Sequence, residues 1–227
     1  MSVMPFVVAL EPDDLSALNE VVKAGRKAEH TCLINLRKAR GVASLRGKAL
    51  SEARAEIRKE IRRLREVGLL AGTRDLVVTR EVRAELARRG MDQEYPPIPA
   101  EAAAAPGRRV GTGPRHYGRI GDERTQLTAR MHVKIAGPVA EQLTRGCYWT
   151  SAPAVAALWE WQARWGDGPE VIFREAQRSG AVTLLHVWAA ALAPRPDADA
   201  ILKKSELQEQ IVTTGDIIRA AVQRAAL

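Results

Sequence analysis

The residues best equipped for chemistry lie between Lys48 and Arg65, in KALSEARAEIRKEIRRLR. Ala53, Ile57, Ile61 and Leu64 recur at helical spacing and form one apolar stripe. Arg54, Arg58, Lys59, Arg62, Arg63 and Arg65 must then spread over the remaining surface of the same helix. A guanidinium group can hydrogen-bond guanine O6 and N7 with two donors, or hold a phosphate. The chemistry on offer is therefore binding of a polyanion. Arg54 and Arg58, near the expected helix start, are the candidates for base contact. Arg62, Arg63 and Arg65, with Lys48 ahead of the helix, are candidates for phosphate. Glu52, Glu56 and Glu60 sit three or four residues from basic partners, as on any solvated helix laced with weak ion pairs. A charged structural face or a protein-docking surface is accordingly the competing reading.

Other reactive residues carry less. GTGPRHYGRIG, residues 111–121, lacks the Gly-Lys-Ser/Thr ending of a phosphate-binding loop and follows no strand. It reads as linker, whose Arg108, Arg109, Arg115 and Arg119 could track a phosphate backbone. His30 and Cys32 are close in sequence, but a helix turns them to different sides and no second pair completes a metal set. Neither a Gly-x-Ser-x-Gly elbow nor His-Glu-x-x-His occurs, so no catalytic residue, metal or cofactor is assigned and an enzyme is not expected. Trp149, Trp159, Trp161, Trp165 and Trp188 all fall in the back half, on Ala-rich helical segments, and suit packing or an association surface.

The elements that must position the arginines follow from local signals. Pro12, Asp13 and Asp14 begin a helix carrying Leu15, Leu18, Val21 and Val22, which Gly25 weakens before CLINLRKAR continues or resumes it. A short helix is expected over 42–49, and Ser51 is expected to cap the arginine helix. Gly68 suits that helix's C-terminus. Leu69-Leu70 and Leu76-Val77-Val78, separated by Ala-Gly-Thr-Arg-Asp, then suit a small β-hairpin with Arg74 at its tip. Thr79 is expected to cap one more helix carrying Val82 and Leu86.

The order helix, short helix, basic helix, hairpin, helix resembles winged helix-turn-helix DNA-binding domains over residues 15–89. The resemblance rests on Leu64, Gly68, Leu69 and Leu70, then Leu76, Val77, Val78 and Thr79, with Leu86 beyond. It implies a recognition helix for the DNA major groove, with Lys48, Ser51, Arg54, Arg58, Lys59, Arg62, Arg63, Arg65 and Arg74 as contacts. The proposed hairpin tip is short for a wing, with Arg74 its only cation.

Charge is divided unevenly along the 227 residues. Residues 13–90 hold 19 Lys/Arg against 11 Asp/Glu, a net of +8, whereas residues 135–227 hold 9 against 10. Such asymmetry favours a polyanion partner for the front and a neutral task, such as self-association, for the back. No run of about 18 apolar residues suggests a membrane span. The N-terminal apolar patch lacks the basic start of a signal peptide. Cys32 and Cys147 give no disulfide framework, and a cytoplasmic setting is expected.

The fold expected is mainly α: a winged helix-turn-helix over 1–90, a Pro/Gly/Ala-rich linker over 91–125, and a helical dimerisation or partner-binding domain over 126–227. One short strand leads that last domain: in RMHVKI, Met131, Val133 and Ile135 alternate with Arg130, His132 and Lys134. With the helices after it, this segment is faintly similar to the ribbon-helix-helix family, in which the basic residues would read DNA. Its first helix is short for that family and the following turn matches poorly, so an ordinary edge strand is the preferred reading. Helices are expected over 138–147, 152–165, 169–178, 181–192, 205–212 and 216–226, with Ser151, Ser205 and Thr214 as caps. The function expected is sequence-specific double-stranded DNA binding by a homodimeric transcriptional regulator. Its runner-up is a phage or plasmid accessory factor contacting a recombinase or replication protein. A protein-interaction adaptor without DNA binding is the reading from another class.

Overall fold

A computed structural model describes residues 3–100, 127–165 and 196–225. It is mainly helical, with one two-stranded antiparallel sheet. In chain order the elements are β1 (Val3–Leu10), α1 (Pro12–Ala39), α2 (Gly47–Glu66), α3 (Arg74–Arg88), β2 (Ala129–Ala136), α4 (Gly137–Trp165), α5 (Ala198–Gln210) and α6 (Thr214–Ala225).

Two compact units divide these elements. The first gathers 3–97, 127–146 and 214–225; the second gathers 98–100, 147–165 and 196–213. This departs from the sequential division at 90 and 126, for two physical reasons. The N-terminal patch read only as a poor signal peptide is β1, and it pairs with β2 from Val3 opposite Ala136 to Leu10 opposite Ala129. Helix α6, amphipathic through buried Ile217, Ile218, Ala221 and Val222, packs on α3, α1 and β1. Each is a half-apolar element that gains by covering the other's face. Of the expected linker, Met91 is buried, and the Gln142 amide donates to the carbonyls of Met91 at 3.2 Å and Gln93 at 3.3 Å.

Alternation in the sheet is strict. Val8 and Leu10 of β1, with Met131, Val133 and Ile135 of β2, are buried. Val77, Val78, Val82 and Leu86 of α3, Leu18 and Val22 of α1, and Val139, Ala140 and Leu143 of α4 complete the core. Arg130, His132 and Lys134 face out, as the alternation predicts. Buried Glu85 of α3 has Arg88 and Arg89 at 2.6 Å and Arg224 of α6 at 3.0 Å, so its charge is compensated and helps join the two helices.

Helix α1 runs unbroken through Gly25, where a weakening was expected. A Cβ there would overlap the carbonyl oxygen of Ala71 and sit 3.1 Å from its carbon, so glycine is what admits the 71–72 backbone. The Arg26 Nε donates to the Gly72 carbonyl at 3.1 Å beside it. Residues 40–44 form turns, and no separate short helix occupies 42–49. Helix α2 instead starts at Gly47, with Arg46 as N-cap, so Ser51 lies within the helix and does not cap it.

The expected hairpin is absent. Gly68 does end α2, with φ +79°, the Leu69 N–H on the Leu64 carbonyl at 2.9 Å and the Gly68 N–H on that of Arg65 at 3.1 Å. Beyond it, Leu76, Val77 and Val78 enter α3 and not a strand. Thr73, rather than Thr79, is the cap, its hydroxyl accepting from the Leu76 N–H at 3.3 Å. The β-branched pair reads locally as strand, but helical spacing with Val82 and Leu86 places all four against the core, and that burial prevails over propensity. Residues 69–79 therefore supply no wing.

The two helices expected over 138–147 and 152–165 are one helix, α4, whose residues 137–146 belong to the first unit and 147–165 to the second. Ser151 is not a cap: it is buried, its hydroxyl donating to the Val212 carbonyl at 3.1 Å and accepting from the Val212 N–H at 2.9 Å. Asp197, not Ser205, caps α5 by accepting from the Ala200 N–H at 2.8 Å. The Trp161 indole N–H donates to the Ala200 carbonyl at 2.8 Å. The expected helices over 169–178 and 181–192, and Trp188, lie outside the described residues. No described helix is long and apolar enough to cross a membrane.

Candidate nucleic-acid interface

Helices α1 and α2 form a helical hairpin. Buried Ile57 and Ile61, with Leu70, pack against half-buried Cys32, Leu33, Leu36, Val42 and Leu64. The apolar stripe thus turns inward and fixes which side of α2 meets solvent. Both helices bring cations: residues 23–65 hold 14 Lys/Arg against 4 Asp/Glu, a net of +10. The basic residues of α1, among them Lys23, Lys27, Arg37 and Lys38, were not singled out from sequence. Their signal was present in KAGRK and LRKAR, but nothing local says that α1 folds back beside α2.

Charge on α2 is sorted by flank. Arg54, Arg58 and Arg62 follow at four-residue intervals along one exposed flank, and Arg65 continues the line one turn later. Glu52, Glu56 and Glu60 run down the other side. Each of these acids has a basic partner: Lys48 lies 3.9 Å from Glu52, Arg40 reaches across to Glu56, and Arg63 binds Glu60 with two hydrogen bonds at 2.7 and 3.0 Å. The hydrogen bond from Arg63, ahead of its charge, holds the Glu60 carboxyl below its ordinary value, and the same bond raises Arg63. Arg65 is tied to Glu29. Among the described residues, Arg54, Arg58, Lys59 and Arg62 have no carboxylate partner.

Arg58, Arg62 and Arg65 also border a groove of about 340 Å³ floored by Leu33, Ile57 and Ile61, with Glu29 at its side.

The sequence-selected residues therefore separate. Lys48 and Ser51 are exposed in the first turns of α2, and Lys59 is exposed farther along. Arg54 and Arg58 lie in the middle of the helix because it begins at Gly47, so the argument from the first turn no longer singles them out for bases. Arg74 belongs to no hairpin tip: it is half-buried at the start of α3 and donates to the Asn19 side chain at 3.0 Å. Arg130, His132 and Lys134 come together on the sheet's outer face. Arg108, Arg109, Arg115 and Arg119 lie outside the described residues. Among the described residues no group of three His, Cys, Asp or Glu side chains could hold a metal ion.

No family model, curated protein or solved structure matches the chain.

Proposed function

We propose that the chain binds double-stranded DNA through the arginine flank of α2, with transcriptional regulation as its role. The observation supporting this is the line of Arg54, Arg58 and Arg62, without carboxylate partners among the described residues, on a helix whose Glu52, Glu56 and Glu60 hold basic partners on the opposite flank. A helix of 20 residues is about 30 Å long, enough to follow several phosphates, and unpaired guanidinium groups are free to displace condensed counterions. Lys48, Ser51 and Lys59 extend the surface. No wing takes part. An accessory role beside a recombinase or replication protein uses the same interface and differs only in what the second unit holds.

That unit exposes Trp159, Ile201 and Leu202, which favours self-association into a homodimer. Light scattering that gives a single chain of 24.9 kDa would remove this part. The adaptor reading draws support from the apolar floor of the arginine-bordered groove, which phosphate does not need.

Duplex titrations in rising salt test the proposal against the adaptor. Three phosphate contacts predict that log K falls with log salt at a slope of about −2.7 or steeper. Absence of duplex binding at moderate salt, with retained binding of acidic peptides, would overturn it.

A further inference from the structure

The outer face of the β1–β2 ribbon is unlike a solvent face that has no partner. Its eight outward positions are Val3, Pro5, Val7 and Ala9 on β1 and Arg130, His132, Lys134 and Ala136 on β2. Three are basic and none is acidic. Val3 and Val7 are 53% and 61% exposed, although either could have been polar at no cost to the core. The register places Val7 opposite His132, Pro5 opposite Lys134 and Ala9 opposite Arg130, so an apolar strand face on β1 lies beside a basic one on β2.

Both ribbon edges are engaged. The Lys134 N–H on the β2 edge donates to the Asp75 carboxylate at 3.0 Å, and Arg219 donates to the Ala9 carbonyl of β1 at 3.4 Å. These contacts oppose pairing with an added strand. Face-to-face stacking with a second copy would set Arg130 and Lys134 against the same two cations. A lipid surface would call for bulky interfacial aromatics, which these positions lack.

We propose that this face is a second duplex-DNA surface, seated in the major groove; it rests on the reading that the chain binds DNA. Eight-residue strands span about 26 Å, and a two-stranded ribbon fits a groove about 12 Å wide. Arg130 meets a guanine edge, Lys134 a phosphate, and Val7 the methyl group of a thymine. The apolar β1 face beside the basic β2 face provides for both kinds of contact, whereas a phosphate-only surface would not use the valines.

The test uses the full chain and duplexes selected from a random 20-base-pair pool, with circular dichroism to verify each variant's fold. Arg130→Ala/Lys134→Ala is expected to lower affinity at least about tenfold near 0.1 M salt. Replacing thymine by uracil in the selected duplex is expected to weaken wild-type binding by about fivefold and to leave Val7→Ser unchanged. Wild-type affinity in the double variant, with loss in Arg54→Ala/Arg58→Ala/Arg62→Ala, overturns the ribbon surface and leaves the α2 reading intact. Loss in the ribbon variant alone supports the ribbon and removes α2. No loss in either overturns both, and indifference of the wild type to uracil overturns the role of Val7.

Discussion

Gly25 of α1 lies against the carbonyl of Ala71, leaving no room for a side chain between them. This contact sets where the chain leaving α2 returns to α1, and so how the arginine-bearing hairpin is rooted in its unit. Gly72 is also confined, since a Cβ there would approach the Glu29 carboxylate to 2.6 Å.

Gly25→Ala should therefore destabilise the protein despite alanine's better helix propensity. Overpacking against backbone costs about 2 kcal/mol, against a propensity gain of about 1 kcal/mol. Because backbone cannot swing aside like a long side chain, the first effect wins. Urea denaturation should show a lower midpoint, and an unchanged or higher midpoint would mean that the 71–72 segment is not seated on α1.

Thr73 and Thr79 discriminate between the helix found and the hairpin expected. Thr73→Ala removes the cap of α3 and should cost about 1 kcal/mol, whereas Thr79→Ala, inside the helix, should cost less. Thermal or urea unfolding of both variants reads the difference. A larger loss at Thr79 would favour a helix start there.

These positions also mark how much the sequence revealed. Ile57, Ile61, Leu64 and Gly68 were legible because a helical stripe and a left-handed stop are local signals. The alternation in RMHVKI was equally legible. Its partner strand was not, since pairing Phe6 with Val133 depends on a contact over a hundred residues away in sequence. Nor did Val77 and Val78 announce a helix, because their burial against β2 and α6 outweighs a β-branched preference. At the candidate site the arginines were legible as a population, but their sorting was not. Arg40 reaching Glu56 and Arg65 reaching Glu29 depend on the fold of the hairpin.

The Glu60–Arg63 pair gives the site a pH signature. A carboxyl whose folded-state value lies below its unfolded one adds stability above the unfolded value and loses it as pH falls through the folded one. Glu60 is such a group, with the Arg63 hydrogen bond as the main cause, so this contribution is lost in acid below its ordinary 4.5. An NMR titration of the Glu60 carboxyl carbon should give a midpoint below 4.5, and Arg63→Ala should raise it. Coincident midpoints in the two proteins would show that the pair is not formed in solution.

The most direct measurement compares duplex binding by the wild type and by Arg54→Ala/Arg58→Ala/Arg62→Ala across a salt series. The three residues are exposed and lack carboxylate partners among the described residues, so the variant should keep the wild-type circular dichroism and melting temperature. Affinity should fall at least about a hundredfold at low salt, with the salt slope shallower by about 2.7. Equal affinity and equal slope in a folded variant would contradict the assignment of DNA binding to the α2 flank.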